Sequence, residues 1–378
     1  MSINKKLIYK TLLTIVGVII LAASGLMAYL AIPSGFQSRQ AEGPKVLTEL
    51  LRMAEKSQPF NPDPYISSTY RPGDPLYEPV LAIQRDRWDI AQKLLQPLVE
   101  QGNADAMYWL AHITYDDSYY SSGPAAKLFQ KSAVLGNPYA ALRLDINDRE
   151  CQMFMGGYCD KKWGELGRKL LQERAAQGDK KAEYYLLQYD ENSSEEVHKK
   201  LEQLVTENAK NHYYQPLMRQ IYNYTSGLYL PFLEQNKSIS IEKKKLISNL
   251  LRLGANNNFP PSMYYVYSYN DMYSEDYVKR VVEHSISLNV SSYICEAYYS
   301  KVSNRLRNDV VKGAACAMAN DVVRGNGNNR VSIFDFNLDK NNIAPLTDEE
   351  KRESDRIAKL ILNDITPVIY IDEMNTRP

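Results

Sequence analysis

Three short stretches share one phrase: EQGNADAMYWLA at residues 100–111, VLGNPYAALRL at 134–144 and AQGDKKAEYYLL at 176–187. Each places a glycine, then Asn or Asp, then an alanine ahead of a helical pattern. Aligned on Gly102, Gly136 and Gly178, the copies are 34 and 42 residues apart, and the longer gap holds RECQMFMGGYCDKKWG as an insertion. A period of this size is the mark of a repeat architecture and outranks any catalytic motif in deciding the fold. Weaker copies follow near Asn211, at Gly254 and near Asn289, at intervals of roughly one helix pair each.

The unit is a pair of helices. A first helix such as AAKLFQKSAVLG puts Ala125, Leu128, Phe129 and Ala133 on one face and stops at Gly136, whose missing Cβ suits a left-handed helix end. A second helix follows within a few residues. In GNADAMYWLAHITY, Ala106, Trp109, Leu110 and Ile113 repeat the helical spacing, and Ala104, Ala106 and Ala111 let neighbours approach closely. One pair cannot bury both of its faces, whereas stacked pairs can. The pattern predicts an all-α chain with about six pairs over residues 88–320.

The flanks read differently. No charged residue occurs from Thr11 through Ile32, a run long enough to span a bilayer as a helix. Lys5, Lys6 and Lys10 precede it, so the expectation is a cytoplasmic tail at 1–10, a transmembrane helix at 11–32 and the bulk of the chain in a bacterial periplasm. A cleaved signal peptide is the alternative, since LAASG supplies small residues. Residues 33–87 read as a linker with one short amphipathic helix on Leu47, Leu50, Leu51 and Ala54, then six prolines between Pro59 and Pro79 that forbid helix continuity. Residues 321–378 read as a loop, a capping helix that starts after Thr347, and a short strand or arm in TPVIYIDEM.

The order AxxLLQPLVEQGNADAMYWLA followed by GPAAKLFQKSAVLGNPYAALRL resembles the Sel-like repeat (SLR), a relative of the tetratricopeptide repeat. The likeness is good over about 88–190 and degenerate over 195–320. It implies a right-handed α-solenoid of helical hairpins that binds another protein. Among membrane-tethered proteins with such units, the chain resembles the periplasmic immunity proteins that neutralise type VI secretion antibacterial effectors, notably phospholipases. A secreted antibacterial lipase is then the implied partner, and a cell-envelope scaffold or regulatory adaptor is the competing reading. The resemblance also implies a pairing for the four cysteines, which are permitted to bridge in an oxidising space. Cys151 with Cys159 matches the disulfides within a repeat of secreted SLR proteins, and Cys295 with Cys316 falls on successive helices. Four buried thiols are the alternative.

Other chemistry finds little support. Lys plus Arg equals Asp plus Glu at 45 each, so there is no basic excess to attract nucleic acid. The four histidines, His112, His198, His212 and His284, lack metal-ligand spacing, and DFNLDKNNIAPL lacks the glycine and glutamate of a calcium loop. No phosphate loop or nucleophile elbow is present, so no enzyme, cofactor or small-molecule substrate is expected. Tyrosine is the suggestive residue. Of 29, 14 lie between Tyr213 and Tyr299, and Tyr213, Tyr214, Tyr264, Tyr265, Tyr267, Tyr269, Tyr273 and Tyr277 are candidates for a protein-binding face. The alternative is that they form the core of the second helices.

Overall fold

The repeated phrase is a helix stop followed by a helix start. At Gly102, Gly136 and Gly178 the backbone is left-handed, with φ of +87°, +97° and +94°. The residue after each glycine donates its N–H to the carbonyl five residues back: Asn103 to Leu98, Asn137 to Ser132 and Asp179 to Arg174. The glycine itself donates to the carbonyl three back, which completes a Schellman end. The same residue that follows the glycine then caps the next helix. The side chains of Asn103, Asn137 and Asp179 each accept a 2.9 Å hydrogen bond from the alanine N–H three positions on.

The computed structural model describes residues 45–116, 119–188, 194–224, 241–288, 294–300, 306–325 and 329–377. The apolar run at 11–32 and the turn near Asn289 lie outside them. Among the described residues no helix is long and apolar enough to cross a membrane. Seventeen α-helices are present among those residues. Helices α1 (Lys45–Lys56) and α2 (Tyr77–Gln84) precede six pairs. These are α3 (Trp88–Glu100) with α4 (Ala104–His112), α5 (Tyr119–Val134) with α6 (Pro138–Leu142), and α7 (Lys161–Ala176) with α8 (Lys180–Gln188). Then come α9 (Glu195–Lys210) with α10 (Gln215–Tyr224), α11 (Ile241–Asn256) with α12 (Pro260–Ser268), and α13 (Glu275–Leu288) with α14 (Ile294–Ser300). Helices α15 (Arg307–Arg324), α16 (Arg330–Lys340) and α17 (Asp348–Asp364) complete the chain. From α2 to α15 each helix packs on the next.

Four further ends share the Schellman geometry without glycine. Asp86, His212, Asn258 and Asn342 have φ between +55° and +60°, and the following residue again bonds five back. Asp, Asn and His tolerate this region better than other residues with a side chain, which is how the period continues after its glycine is lost. Gly254, read from the sequence as a repeat turn, is not one. It lies inside α11, and the left-handed residue is Asn258. Its role is close approach: a Cβ there would meet Ser262 Oγ at 2.2 Å. Likewise the fourth turn is carried by His212 rather than Asn211.

The core is built from the paired faces. Trp109, Tyr108, Phe129 and Leu95 are fully buried, and small Ala106, Ala111, Ala140 and Ala182 have no exposure. Cys151 and Cys159 close the insertion between α6 and α7, and Cys295 joins α14 to α15 through Cys316; both pairs have Cα atoms 6.0 Å apart. Two disulfides are the signature of an oxidising, extracytoplasmic compartment. At the far end α15 packs on both α16 and α17. Thr347 forms a capping box with Glu350, whose carboxylate also takes the Arg307 guanidinium at 2.6 Å.

The proline-rich stretch is a packed arm. Asn256, Asn257 and Asn258 hold it: Asn258 Nδ2 donates to the carbonyls of Asn61 and Asp63, Asn61 Nδ2 donates to Asn257 Oδ1, and Asn256 Nδ2 donates to Ser57 Oγ. Phe60 stacks on His284 with ring centres 4.0 Å apart, and burial lowers the His284 pKa to about 4. Residues 365–377 form a second arm, extended and without a strand. Val368, Ile369, Ile371 and Asp372 on it are fully buried.

Candidate functional site

The second arm lies where the helix pairs present their polar groups. Those groups read its main chain. Gln84 Nε2 donates to the Val368 carbonyl at 2.9 Å, Gln215 Nε2 to Tyr370 at 2.7 Å, and the hydroxyls of Tyr77 and Tyr108 to Pro367 and Glu373 at 2.8 and 2.6 Å. Donors from α2, α4 and α10 thus hold one extended segment by its carbonyls, a mode that fixes the path of a chain with little demand on its side chains.

Lys181 adds a charged contact to the same arm. The turn at Gly178 and the cap at Asp179 set the start of α8, and two residues later Lys181 Nζ meets Glu373 Oε2 at 2.8 Å and Asp372 Oδ2 at 3.5 Å. The same ammonium sits 4.9 Å from the Tyr139 ring centre and 5.4 Å from that of Tyr213. Each carboxylate has further donors. Tyr213 OH donates to Asp372 at 2.6 Å, and Tyr70 OH donates to Glu373 at 2.8 Å while accepting from Trp109 Nε1 at 3.1 Å. Tyr185 OH and Tyr213 OH are 2.9 Å apart, and Asn375 Nδ2 donates to Tyr185.

Burial and charge compete in this cluster. Burial alone would lower the Lys181 pKa, but the charges of Asp372 and Glu373 hold it well above its ordinary value. Burial would raise Glu373, and Lys181 pulls it below the ordinary carboxyl value instead. Tyr213 and Tyr70 are pushed well up, first by burial and then by the neighbouring carboxylates Asp372 and Glu373 respectively. The lysine is therefore charged and the hydroxyls are protonated donors across the ordinary pH range.

Beside this cluster opens a cleft of about 500 Å³. One wall is the first arm at Ile66–Tyr70, the other is the Gly178 and His212 turns, and Glu373 lies in its lining. Arg174 rests over the Tyr139 ring at 5.7 Å on the same lining.

The tyrosines singled out in the sequence are divided among several contacts. Tyr213 bonds Asp372. Tyr214 is buried against Phe259 and meets His212 Nδ1 at 3.1 Å. Tyr264, Tyr265 and Tyr269 are half-buried and in ring contact along α12. Tyr267 is buried against Tyr298. Tyr273 and Tyr277 flank Arg252, and Tyr277 OH donates to Asn256. Sequence reasoning missed Lys181, Asp372 and Glu373, although Lys181 stands inside one of the repeated phrases and IYIDEM sets two acidic residues directly after an apolar run. Among the described residues no cluster of three His, Cys, Asp or Glu side chains could hold a metal.

No family model, no curated protein and no solved structure matches the chain.

Proposed function

We propose that the chain is a membrane-anchored extracytoplasmic protein whose helical pairs bind another protein, and that its partner is a secreted antibacterial lipase that it neutralises as an immunity protein. The observation that carries the binding reading is the groove itself. Its side chains hold an extended polypeptide by main-chain carbonyls and an acidic pair, which is the chemistry of peptide recognition. The two disulfides support a site of action outside the cytoplasm. The lipase follows from the resemblance to SLR immunity proteins. An anchor would keep such a blocker at the membrane that the toxin attacks. In this reading the protein performs no reaction and needs no cofactor.

Affinity capture with the oxidised chain from secreted and envelope proteins, followed by mass spectrometry, tests the proposal. Retention of one lipase at near-equal amounts, with its activity blocked, supports immunity. Retention of resident envelope enzymes, with no toxin sensitivity on deletion, replaces it with an adaptor.

A further inference from the structure

Three polar groups on the cleft beside Lys181 keep donors to spare among the described residues. Arg174 makes no ion pair there; its guanidinium has the Tyr139 face at 5.7 Å and one long hydrogen bond, 3.5 Å, to the Gly136 carbonyl. Tyr139 is 4 % exposed, and its hydroxyl has no hydrogen-bond partner. Asn211 is exposed at the rim, and its amide side chain is likewise unbonded. All three can donate. The carboxylates of the same lining are already engaged: Asp179 caps α8, and Glu373 is taken by Lys181 and Tyr70. Lys180 is offset by Glu183 and Glu207 at 2.9 and 3.0 Å. These donors suit an anion that accepts several hydrogen bonds, and the guanidinium fork matches a carboxylate best.

The geometry points to this cleft as a docking site for an extended, acidic segment of a protein partner, with an Asp or Glu side chain seated on Arg174, Tyr139 and Asn211. The inference deepens the binding function proposed above and rests on it. The neighbouring stretch of the groove gives the precedent, since there the same protein already holds an extended Asp-Glu pair on Lys181 with its main chain read by side-chain donors. A volume of about 500 Å³ lies within the range of sites that take small ligands, roughly 300–1,000 Å³. The chain's own second arm fills the deep part of the groove, and a partner would occupy the open part.

The test uses the full chain in detergent and a fluorescent heptapeptide, Gly-Ser-Ile-Asp-Glu-Ser-Gly, read by anisotropy. Saturable binding is expected, weakened at least about tenfold when Asn-Gln replaces Asp-Glu in the peptide, and by a similar factor in Arg174→Gln. Tyr139→Phe should weaken it less, and Lys169→Gln, on α7 with its side chain 72 % exposed and outside the cleft lining, should leave it unchanged. A thermal melt shows whether Arg174→Gln is folded; if it is not, the comparison of the two peptides on the native chain decides alone. The proposal is overturned by no saturable binding up to about 1 mM, by equal binding of the acidic and neutral peptides, or by a folded Arg174→Gln that binds as the native chain does. It is also overturned if free succinate competes as well as the peptide, since the site would then take small dicarboxylates. Failure here leaves the capture of a native partner open, so the two readings fall separately.

Discussion

Replacing Lys181 with Met removes the one cation among the described residues that meets both Asp372 and Glu373. The side chains of these carboxylates are 0 % and 10 % exposed, and that of the lysine is 19 % exposed. Two acidic groups would be left in the groove without a cation, Glu373 with the Tyr70 hydroxyl and Asp372 with the Tyr213 hydroxyl and the N–H donors of Met374 and Asn375. Stripping one partner from a buried pair costs roughly 3–5 kcal/mol, and the surviving donors place this case near the lower end. Urea unfolding followed by circular dichroism should show a loss of about 3 kcal/mol in the full chain. Restoring neutrality with Asp372→Asn and Glu373→Gln in the same chain should recover most of it, because no unpaired charge remains. The pH dependence has two windows. Glu373 titrates below its ordinary value of 4.5 when folded, so its contribution is present above 4.5 and is lost as pH falls through the lowered value. Lys181 titrates above its ordinary 10.5, so its contribution is present below 10.5 and is lost as pH rises through the raised value. Both slopes should vanish in the triple variant. A cost under about 1 kcal/mol for Lys181→Met, the level of an exposed pair, would refute the reasoning.

Gly254→Ala should destabilise by about 1–3 kcal/mol, since its Cβ would fall 2.2 Å from Ser262 Oγ and 2.8 Å from Ser262 Cβ; a neutral result by urea unfolding would show that α11 and α12 can separate without cost. Asn258→Ala removes both donors that hold the Asn61 and Asp63 carbonyls, and limited proteolysis should then cut between residues 57 and 70 at rates well above those of the native chain. Reducing Cys151–Cys159 and Cys295–Cys316, with sequence separations of 8 and 21, should cost roughly 2.5 and 3.3 kcal/mol from loop closure, to be checked by unfolding each cysteine-pair variant.

The helix pairs were legible because their signal is local. A glycine, a capping Asn or Asp and a small residue three positions on lie within five residues of one another, and three copies suffice to set the period. The later turns were harder to place because His212 and Asn258 adopt the same left-handed backbone without a glycine, while Gly254 serves packing instead. The groove was illegible for the opposite reason. Lys181 and Glu373 are 192 positions apart, Gln84 and Val368 are 284, and no periodicity links them. TPVIYIDEM reads as a short strand or an arm in the sequence, but its burial follows from tertiary contacts with α2, α4, α8 and α10. The tyrosine count marked residues that matter for packing, yet the hydroxyls that meet Asp372 and Glu373 belong to Tyr213 and Tyr70, and Tyr70 lies in the proline-rich stretch.

The central claim is that the groove lined by these helix pairs binds another protein. Its most direct test is side-by-side capture from secreted and envelope extracts by the oxidised full chain and by its Arg174→Glu variant, quantified by mass spectrometry. The account predicts one protein retained by the native chain at near-equal amounts and at least about tenfold less by the variant. Retention of no protein above a blank support would contradict it, and equal retention of one protein by both chains would contradict the Arg174 cleft as its docking site.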